Sequence, residues 1–195
     1  NPDGLLERLK GWVFVEWSRA NDDCLVKGIN YPSNMLYARM LEDASYLLNK
    51  PELMRKSLRL KRVIRERAYN GLFFRDNAAV DECTEVCQYY AFFTHVADRE
   101  NYPELYNTLK TQFGPGRKEN NPYPEVAFTN AFIGNYLRLE MLSENNEREQ
   151  ALREIEGYFA DMAEKTGTLW EHDSPQASCN HGFASHVLYW LFKFS

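Results

Sequence analysis

The clearest candidates for chemistry lie in a polar and aromatic segment near the end of the chain, over residues 168–183. A tryptophan adjoins a carboxylate there, at Trp170 and Glu171, and His181 follows ten residues after the carboxylate. An aromatic ring stacks on the face of a sugar, a carboxylate transfers protons, and histidine forms hydrogen bonds. This combination suits carbohydrate chemistry, while on spacing alone Asn, Asp and His in a loop more often form simple turns.

Three further polar and aromatic clusters precede predicted helices: Glu16-Trp17 with residues 30–33, residues 82–90, and residues 123–125. Within them, Glu85 lies at the start of a predicted buried helix, where the helix dipole favours an ionised carboxylate. That state suits a base or a group that binds hydroxyls, and it does not suit a general acid, which has to stay protonated. We therefore count Glu85 among the expected substrate-binding residues.

Hydrophobic periodicity predicts helices along almost the whole chain after residue 33, and these helices are of two alternating kinds. Residues that are apolar on all sides predict buried helices over 34–49, 84–97, 125–142 and 183–194. Charged helices with one apolar stripe, over 51–68, 102–113 and 147–164, are typical of a surface layer. Strand signal is limited to short extended candidates at 12–17 and 72–74.

Short loops join each predicted buried helix to the surface helix that follows, which indicates antiparallel helical hairpins. Longer loops rich in Asn, Pro and Gly lead to the next buried helix, at 114–124 and 167–182. We therefore predict an all-α fold, an α/α toroid of antiparallel helical hairpins with about seven helices. A helical-repeat solenoid is the alternative, but it usually keeps a tight period and a consensus, and the sequence has neither.

Composition excludes several functional classes. The chain has 195 residues, of which 44% are hydrophobic, enough to bury a sizeable core without disulfides or metal. Its net charge of −5 argues against a dedicated nucleic-acid binder, because such proteins need clustered positive charge. The basic run at 55–67 is interpreted as the solvated face of a surface helix. The longest apolar run, 187–192, is far shorter than the roughly 20 residues of a membrane span.

The cysteines and the start of the chain give limited information. Cys83 and Cys87 lie four apart on a predicted helix, which separates their Cβ atoms by about 5–6 Å. A disulfide needs roughly 3.8 Å, so we interpret both as buried thiols, and we predict no metal or cofactor. The chain begins at Asn1 without a secretion signal, so we expect the native start and any targeting signal to lie outside it. The compartment stays open, a periplasmic or extracellular location included.

Five motifs in chain order point to a known family. They are GWVFVEW at 11–17, NYPS at 30–33, TEVCQYYAFF at 84–93, AFIGNYLR at 131–138, and TLWE at 168–171 with NHGF at 180–183. Together they resemble the C-terminal part of the catalytic domain of α-L-rhamnosidases of glycoside hydrolase family 78, within the six-hairpin (α/α)6 glycosidases. The resemblance covers most of the chain, and it agrees with the alternation of buried and surface helices.

The resemblance implies hydrolysis of a terminal rhamnose with inversion, in which one carboxylic acid protonates the leaving oxygen and a second carboxylate activates water. Such pairs lie about 6.5–9.5 Å apart. By resemblance the general base is Glu171, and Trp170 and His181 line the sugar pocket. Glu16 and Trp17 occupy the place of an Asp-Trp pair in the family, so Glu16 is a departure from the pattern, expected to bind substrate.

The family's acid-bearing segment lies upstream of every matched motif and has no counterpart here. About seven helices also cannot close a six-hairpin ring, which needs twelve. We expect residues 1–195 to be the C-terminal portion of one such domain, inactive alone and completed by a missing N-terminal part; a homo-oligomer that covers exposed inner helices is the alternative. Two other functions stay open: a non-catalytic carbohydrate-binding or scaffold remnant that stacks sugars on Trp12, Trp17 and Trp170, and a helical-repeat interaction protein.

Overall fold

Helices dominate the computed structural model, which describes residues 2–194. They are α1 (Asp23–Val26), α2 (Tyr31–Leu48), α3 (Pro51–Ala68), α4 (Glu85–Phe93), α5 (Pro103–Gln112), α6 (Ile133–Glu144), α7 (Arg148–Thr166) and α8 (His186–Phe194). Two strands of two residues each, β1 (Cys83–Thr84) and β2 (Val126–Ala127), pair in parallel. The prediction of an all-α fold is confirmed for the described residues, and the seven predicted helices correspond to α2 to α8.

The helices form two layers. In the inner layer α2 contacts α4, α4 contacts α6, and α6 contacts α8. In the outer layer α3 packs on α2, and α7 packs on α6 and α8. The remaining outer helix, α5, contacts α4 through the rings of Tyr106 and Phe92, whose centroids lie 5.9 Å apart. The alternation of buried and surface helices in the sequence therefore corresponds to these two layers.

Side-chain caps fix where two of the inner helices begin. The Asn30 side chain accepts a hydrogen bond of 2.9 Å from the Ser33 amide at the start of α2, where Pro32 has no amide hydrogen to satisfy. The Thr84 hydroxyl accepts a hydrogen bond of 3.3 Å from the Cys87 amide at the start of α4. The starts of α2 and α4 are therefore each fixed by the side chain of the residue just before the helix.

The helix predicted from residue 125 begins later, at Ile133. Apolar periodicity does extend back to Val126, but this residue is in β2 and pairs with Cys83 of β1. The backbone there is extended, and the chain then turns before α6 starts. Periodicity records which residues are apolar, and it does not record whether their backbone groups bond within a helix or to another segment.

Residues 12–17, a short strand candidate in the sequence, form no strand, because this segment has no strand partner within residues 2–194. Side chains satisfy its backbone groups instead. The Val15 amide donates to Asn21 Oδ1 at 2.8 Å, and the Tyr90 hydroxyl donates to the Val15 carbonyl at 3.1 Å. The segment is thereby fixed against the inner layer without belonging to a sheet.

Complete burial was predicted for all four inner helices, and it is wrong for the two at the ends of the layer. Leu47 of α2 is 85% exposed and Leu188 of α8 is 65% exposed. Large apolar side chains on these two helices that are exposed also include Leu36, Met40, Tyr189 and Leu191. The reason is that α2 and α8 each have an inner-layer neighbour on only one side among the described residues.

No helix within residues 2–194 combines the length and the apolar character that crossing a membrane requires.

Candidate active site

Two backbone hydrogen bonds close the loop that contains Trp170 and Glu171. The His181 amide donates to the Leu169 carbonyl and the Glu171 amide donates to the Ser178 carbonyl, each at 2.9 Å. Trp170 is 2% exposed, and its indole nitrogen donates at 2.8 Å to the hydroxyl of Thr166 at the end of α7. The loop therefore has a defined shape and a fixed attachment to the outer layer.

The Glu171 side chain is half-buried, and its carboxylate forms no hydrogen bond or ion pair with residues 2–194. A carboxylate in this state keeps its lone pairs available for a water molecule or a substrate hydroxyl. The backbone amide of Glu171 donates to the Ser178 carbonyl, so the backbone that carries this side chain is held in the closed loop.

His181 lies beside Leu169 in the same closed loop. Its Nδ1 atom accepts a hydrogen bond of 3.3 Å from the Phe183 amide and caps the turn of 3₁₀ helix at Gly182–Ser185. With Nδ1 as acceptor, the neutral imidazole has its proton on Nε2. This leaves one N–H donor on the half-buried ring for a further partner.

Trp17 and His181 lie at the two ends of one run of aromatic rings. Ring centroids are 4.9 Å apart for Trp17 and Phe14, 6.1 Å for Phe14 and Phe132, and 5.0 Å for Phe132 and His181. Trp17 is 41% exposed at its end of the run. The structure thus brings these two sequence-predicted residues to one aromatic surface.

Glu16 is completely buried and caps the start of α6 from a distant part of the chain. Its carboxylate accepts hydrogen bonds from the Thr129 hydroxyl at 2.9 Å, from the Asn130 amide at 3.1 Å, and from the Gly134 amide. Burial raises the pKa of Glu16 to about 7, although hydrogen bonds from Ser18, Thr129 and the two amides act in the opposite direction. The structure leaves Glu16 no open surface on which to contact a sugar.

Glu85 is also buried, and it belongs to a network of two ion pairs. One carboxylate oxygen accepts from Arg117 at 2.6 Å, and the other accepts from the Tyr89 hydroxyl at 2.6 Å. The same hydroxyl accepts at 2.9 Å from Arg138, which pairs with Glu154 at 2.6 Å. Every charge in this network faces an opposite charge. The network is therefore electrically neutral, and its hydrogen bonds join α4, α6 and α7.

Two cavities share lining residues, and the smaller of them reaches the first turns of α4 and α6. The smaller, which we call the inner cavity, has a volume of about 40 Å³ and is lined by residues that include Glu85, Arg117 and Asn135. The larger, the outer cavity, has a volume of about 450 Å³ and is lined by residues that include Trp170. Both are lined by Pro115, Lys118, Tyr158 and Asp173. The larger volume falls within the roughly 300–1,000 Å³ range of small-molecule sites.

Glu85 lines the inner cavity and Trp170 lines the outer cavity, whereas Glu171 is not among the lining residues of either. Sequence reasoning missed Arg117, Asn135 and Tyr158 as cavity residues. Asn135 lies inside the motif at 131–138, so the motif could have identified it as a candidate site residue. Arg117 and Tyr158 came from a loop and from a surface helix, so no local pattern distinguished them from solvent-exposed residues.

Residues 2–194 contain no group of three or more His, Cys, Asp or Glu side chains arranged to hold a metal ion.

Comparison with solved structures identifies the class of fold. No protein-family profile and no curated protein sequence matches the chain. A GH78 family rhamnosidase of Bacillus sp. GL1 superposes on 98% of the chain with a TM-score of 0.78 and 17% identity. A rhamnosidase from Klebsiella oxytoca with rhamnose bound superposes on 100% of it with a TM-score of 0.73 and 14% identity.

The chain therefore has the fold of the helical domain of GH78 rhamnosidases, which confirms the resemblance at the level of fold. It spans 22% of the Bacillus chain and 39% of the Klebsiella chain.

Proposed function

We propose that this chain forms part of the active site of an inverting glycoside hydrolase that removes terminal α-L-rhamnose. The observation that supports this most strongly is the Glu171 carboxylate, which is half-buried, attached to a closed loop, and without a partner among residues 2–194. The loop belongs to a chain whose fold is that of proteins described as rhamnosidases.

Glu171 is the general base in this proposal. Its carboxylate removes a proton from a water molecule, and the water oxygen attacks the anomeric carbon on the face opposite the leaving group. A separate carboxylic acid protonates the leaving oxygen, at about 6.5–9.5 Å from the base. Inversion at the anomeric carbon follows from attack on the opposite face.

The other site residues bind and position the sugar. Trp170 supplies an apolar wall to the outer cavity, His181 offers its Nε2–H to a hydroxyl, and Trp17 presents an exposed ring for stacking. Glu85 lines the inner cavity and holds Arg117 in place. Glu16, being completely buried, acts by holding the start of α6, so its contribution to binding is indirect.

The general acid comes from outside this chain in our proposal, because the two carboxylates that line the inner cavity are already paired. Glu85 pairs with Arg117, and Asp173 pairs with Lys118. Each of these carboxylates already contacts a cationic side chain and is not free to contact a leaving oxygen. The exposed apolar faces of α2 and α8 are surfaces on which a further part of the same enzyme, or a second copy, packs.

Release of the chromophore from a panel of aryl glycosides, measured with the full-length protein, tests this function. We expect turnover of the aryl α-L-rhamnoside, with the β-anomer as the first product detected by NMR. Retention of the anomeric configuration, or turnover of other glycosides only, would contradict the proposal.

A second function is favoured by the pairing of Glu85 and Asp173, which are the carboxylates that line the inner cavity. The chain would then bind carbohydrate through its aromatic side chains without cleaving it, as a binding or scaffold relative of the six-hairpin glycosidases. Binding of L-rhamnose by a full-length protein that hydrolyses none of the aryl glycosides would select this alternative.

A further inference from the structure

The inner cavity contains buried polar groups that have no partner. Asn135 is 4% exposed, and its Oδ1 atom accepts no hydrogen bond within residues 2–194. Arg117 is 3% exposed, and its Nε–H is likewise without an acceptor there. Both residues line the inner cavity. A buried polar group without a partner costs about 1–3 kcal/mol, so one such acceptor and one such donor in a single cavity indicate a bound group.

The charges around the cavity determine what kind of group fits. Glu85 neutralises Arg117, Glu154 neutralises Arg138, and Asp173 pairs with Lys118 at the boundary with the outer cavity. An anion or a cation would therefore enter without a free counter-charge and would lose its hydration at a high cost in free energy. A neutral group meets no such cost.

The unpartnered atoms are one acceptor and one donor, and a hydroxyl is the neutral group that serves both. It donates its proton to Asn135 Oδ1 and accepts from Arg117 Nε–H through its lone pairs. The volume of about 40 Å³ exceeds the roughly 10–15 Å³ needed for one water-sized group, and it is too small for a whole sugar ring.

The shared lining residues make the two cavities neighbours, so a sugar in the outer cavity extends toward the inner one. We propose that one hydroxyl of a neutral sugar enters the inner cavity and hydrogen-bonds to Asn135 and Arg117, which makes Asn135 a specificity-determining residue. This inference rests on the proposed function, and it adds to that site a residue that determines which sugar hydroxyl is recognised.

Kinetics of the full-length protein on aryl α-L-rhamnoside and its 2-, 3- and 4-monodeoxy analogues provide the test. Wild-type protein is expected to lose about 10–100-fold in kcat/KM on one analogue, the one that lacks the bound hydroxyl. Asn135→Ala is expected to lose a similar factor on the parent substrate and to discriminate little against that analogue. Asn135→Asp keeps the acceptor oxygen and should discriminate more than the alanine variant does.

Asn121→Ala is the matched control, because Asn121 also has an unpartnered buried Oδ1 atom but does not line the inner cavity. It should discriminate as the wild type does, and thermal melting establishes that each variant is folded. The inference is overturned if Asn135→Ala keeps the wild-type ratio of kcat/KM between the parent substrate and the analogue. It is also overturned if the wild type has the same kcat/KM on all three analogues. In either case the inner cavity holds water only.

If the wild-type protein has no activity on any rhamnoside, the proposed function is contradicted, and this inference is then tested by sugar binding. Saturation-transfer NMR with L-rhamnose, D-glucose and D-galactose then measures binding. Binding that Asn135→Ala abolishes and Asn121→Ala preserves would support the inference, whereas unaffected binding, or binding of none of these sugars, would overturn it.

Discussion

Glu85 and Arg117 form an ion pair of 2.6 Å in which each residue is only 3% exposed. The guanidinium carbon lies 4.2 Å from the ring centroid of Phe113 and 4.5 Å from that of Phe128. Arg117 also donates to the carbonyls of Tyr123 and Val126. The pair therefore connects the start of α4 to the loop before α6 and forms a wall of the inner cavity.

Removing one member of this pair should destabilise the fold strongly. Glu85→Gln leaves a buried guanidinium without its counter-charge, so we expect a loss of about 3–5 kcal/mol in the free energy of unfolding, measured by urea denaturation. The double variant Glu85→Gln/Arg117→Met buries no lone charge and should lose less than the sum of the two single variants.

The control for these single and double variants is an exposed ion pair on α7, between Lys165 and Asp161 at 2.7 Å. Asp161→Asn should change stability by less than about 1 kcal/mol. Strictly additive losses at Glu85 and Arg117 would mean that the two charges do not stabilise each other.

Stability should depend on pH through Glu16. Its pKa is raised in the folded state to about 7 from an ordinary value of 4.5, so the folded state binds more protons than the unfolded state between these two pH values. The contribution of Glu16 to stability is therefore complete below pH 4.5 and falls as the pH rises to about 7, by on the order of 3 kcal/mol.

Glu16→Gln removes this titration, and the difference in unfolding free energy between wild type and variant should change by that amount between pH 4.5 and 7. Comparison with the wild type cancels the contribution of Asp76, whose pKa is raised by burial to about 7 as well. Glu164→Gln, an exposed substitution on α7, is the control. A difference that stays constant across this pH range would show that Glu16 does not titrate there.

Gly134 should tolerate no side chain. A Cβ atom there would lie 1.6 Å from Thr129 Oγ1 and 2.7 Å from Glu16 Oε1, so Gly134→Ala forces the α6 cap apart. We expect a loss of at least about 1–3 kcal/mol, the usual cost of overpacking. Gly157→Ala on α7 is the matched control, with no atom within 4 Å of its Cβ.

Alanine is favoured over glycine inside a helix by about 1 kcal/mol, so the Gly157 variant should melt at a higher temperature than the wild type. Equal melting temperatures for the Gly134 variant and the wild type would mean that the Glu16 contact at α6 is not tightly packed.

The four cysteines should differ in reactivity. All are free: Cys83 and Cys87 are buried, as the sequence predicted, and Cys24 is exposed. Burial raises the pKa of Cys83 to about 12 and that of Cys87 well above its ordinary value, so neither provides thiolate near pH 8. Mass spectrometry after iodoacetamide treatment should find Cys24 modified first. Modification of Cys87 in the folded protein would contradict the structure.

Much of the architecture could be predicted from the sequence, because hydrophobic periodicity records which face of each helix is buried. The alternation of apolar and charged helices corresponds to the two layers, and the bounds of α3 match the predicted 51–68. The start of α6 could not be predicted, since it depends on the pairing of Val126 with Cys83. Contacts between distant segments leave no local pattern.

The same limit applies to the candidate site. Residues in recognisable motifs, such as Trp170 and Glu85, could be predicted, and both lie at the cavities. The capping role of Glu16 could not be predicted, because its partners Thr129 and Gly134 are more than a hundred residues away along the chain. Sequence identifies chemically suitable side chains, and only the folded structure shows which of them are already hydrogen-bonded to the protein.

Glu171 is the proposed general base, and its role decides whether the site is catalytic. Turnover of aryl α-L-rhamnoside by the full-length protein with Glu171→Gln tests it most directly, with Glu164→Gln as the matched exposed control. We expect Glu171→Gln to lower kcat by about 10²–10⁴-fold, the range of general base catalysis, with an unchanged melting temperature, because its carboxylate has no partner among residues 2–194. Wild-type kcat in the Glu171 variant would contradict the assignment.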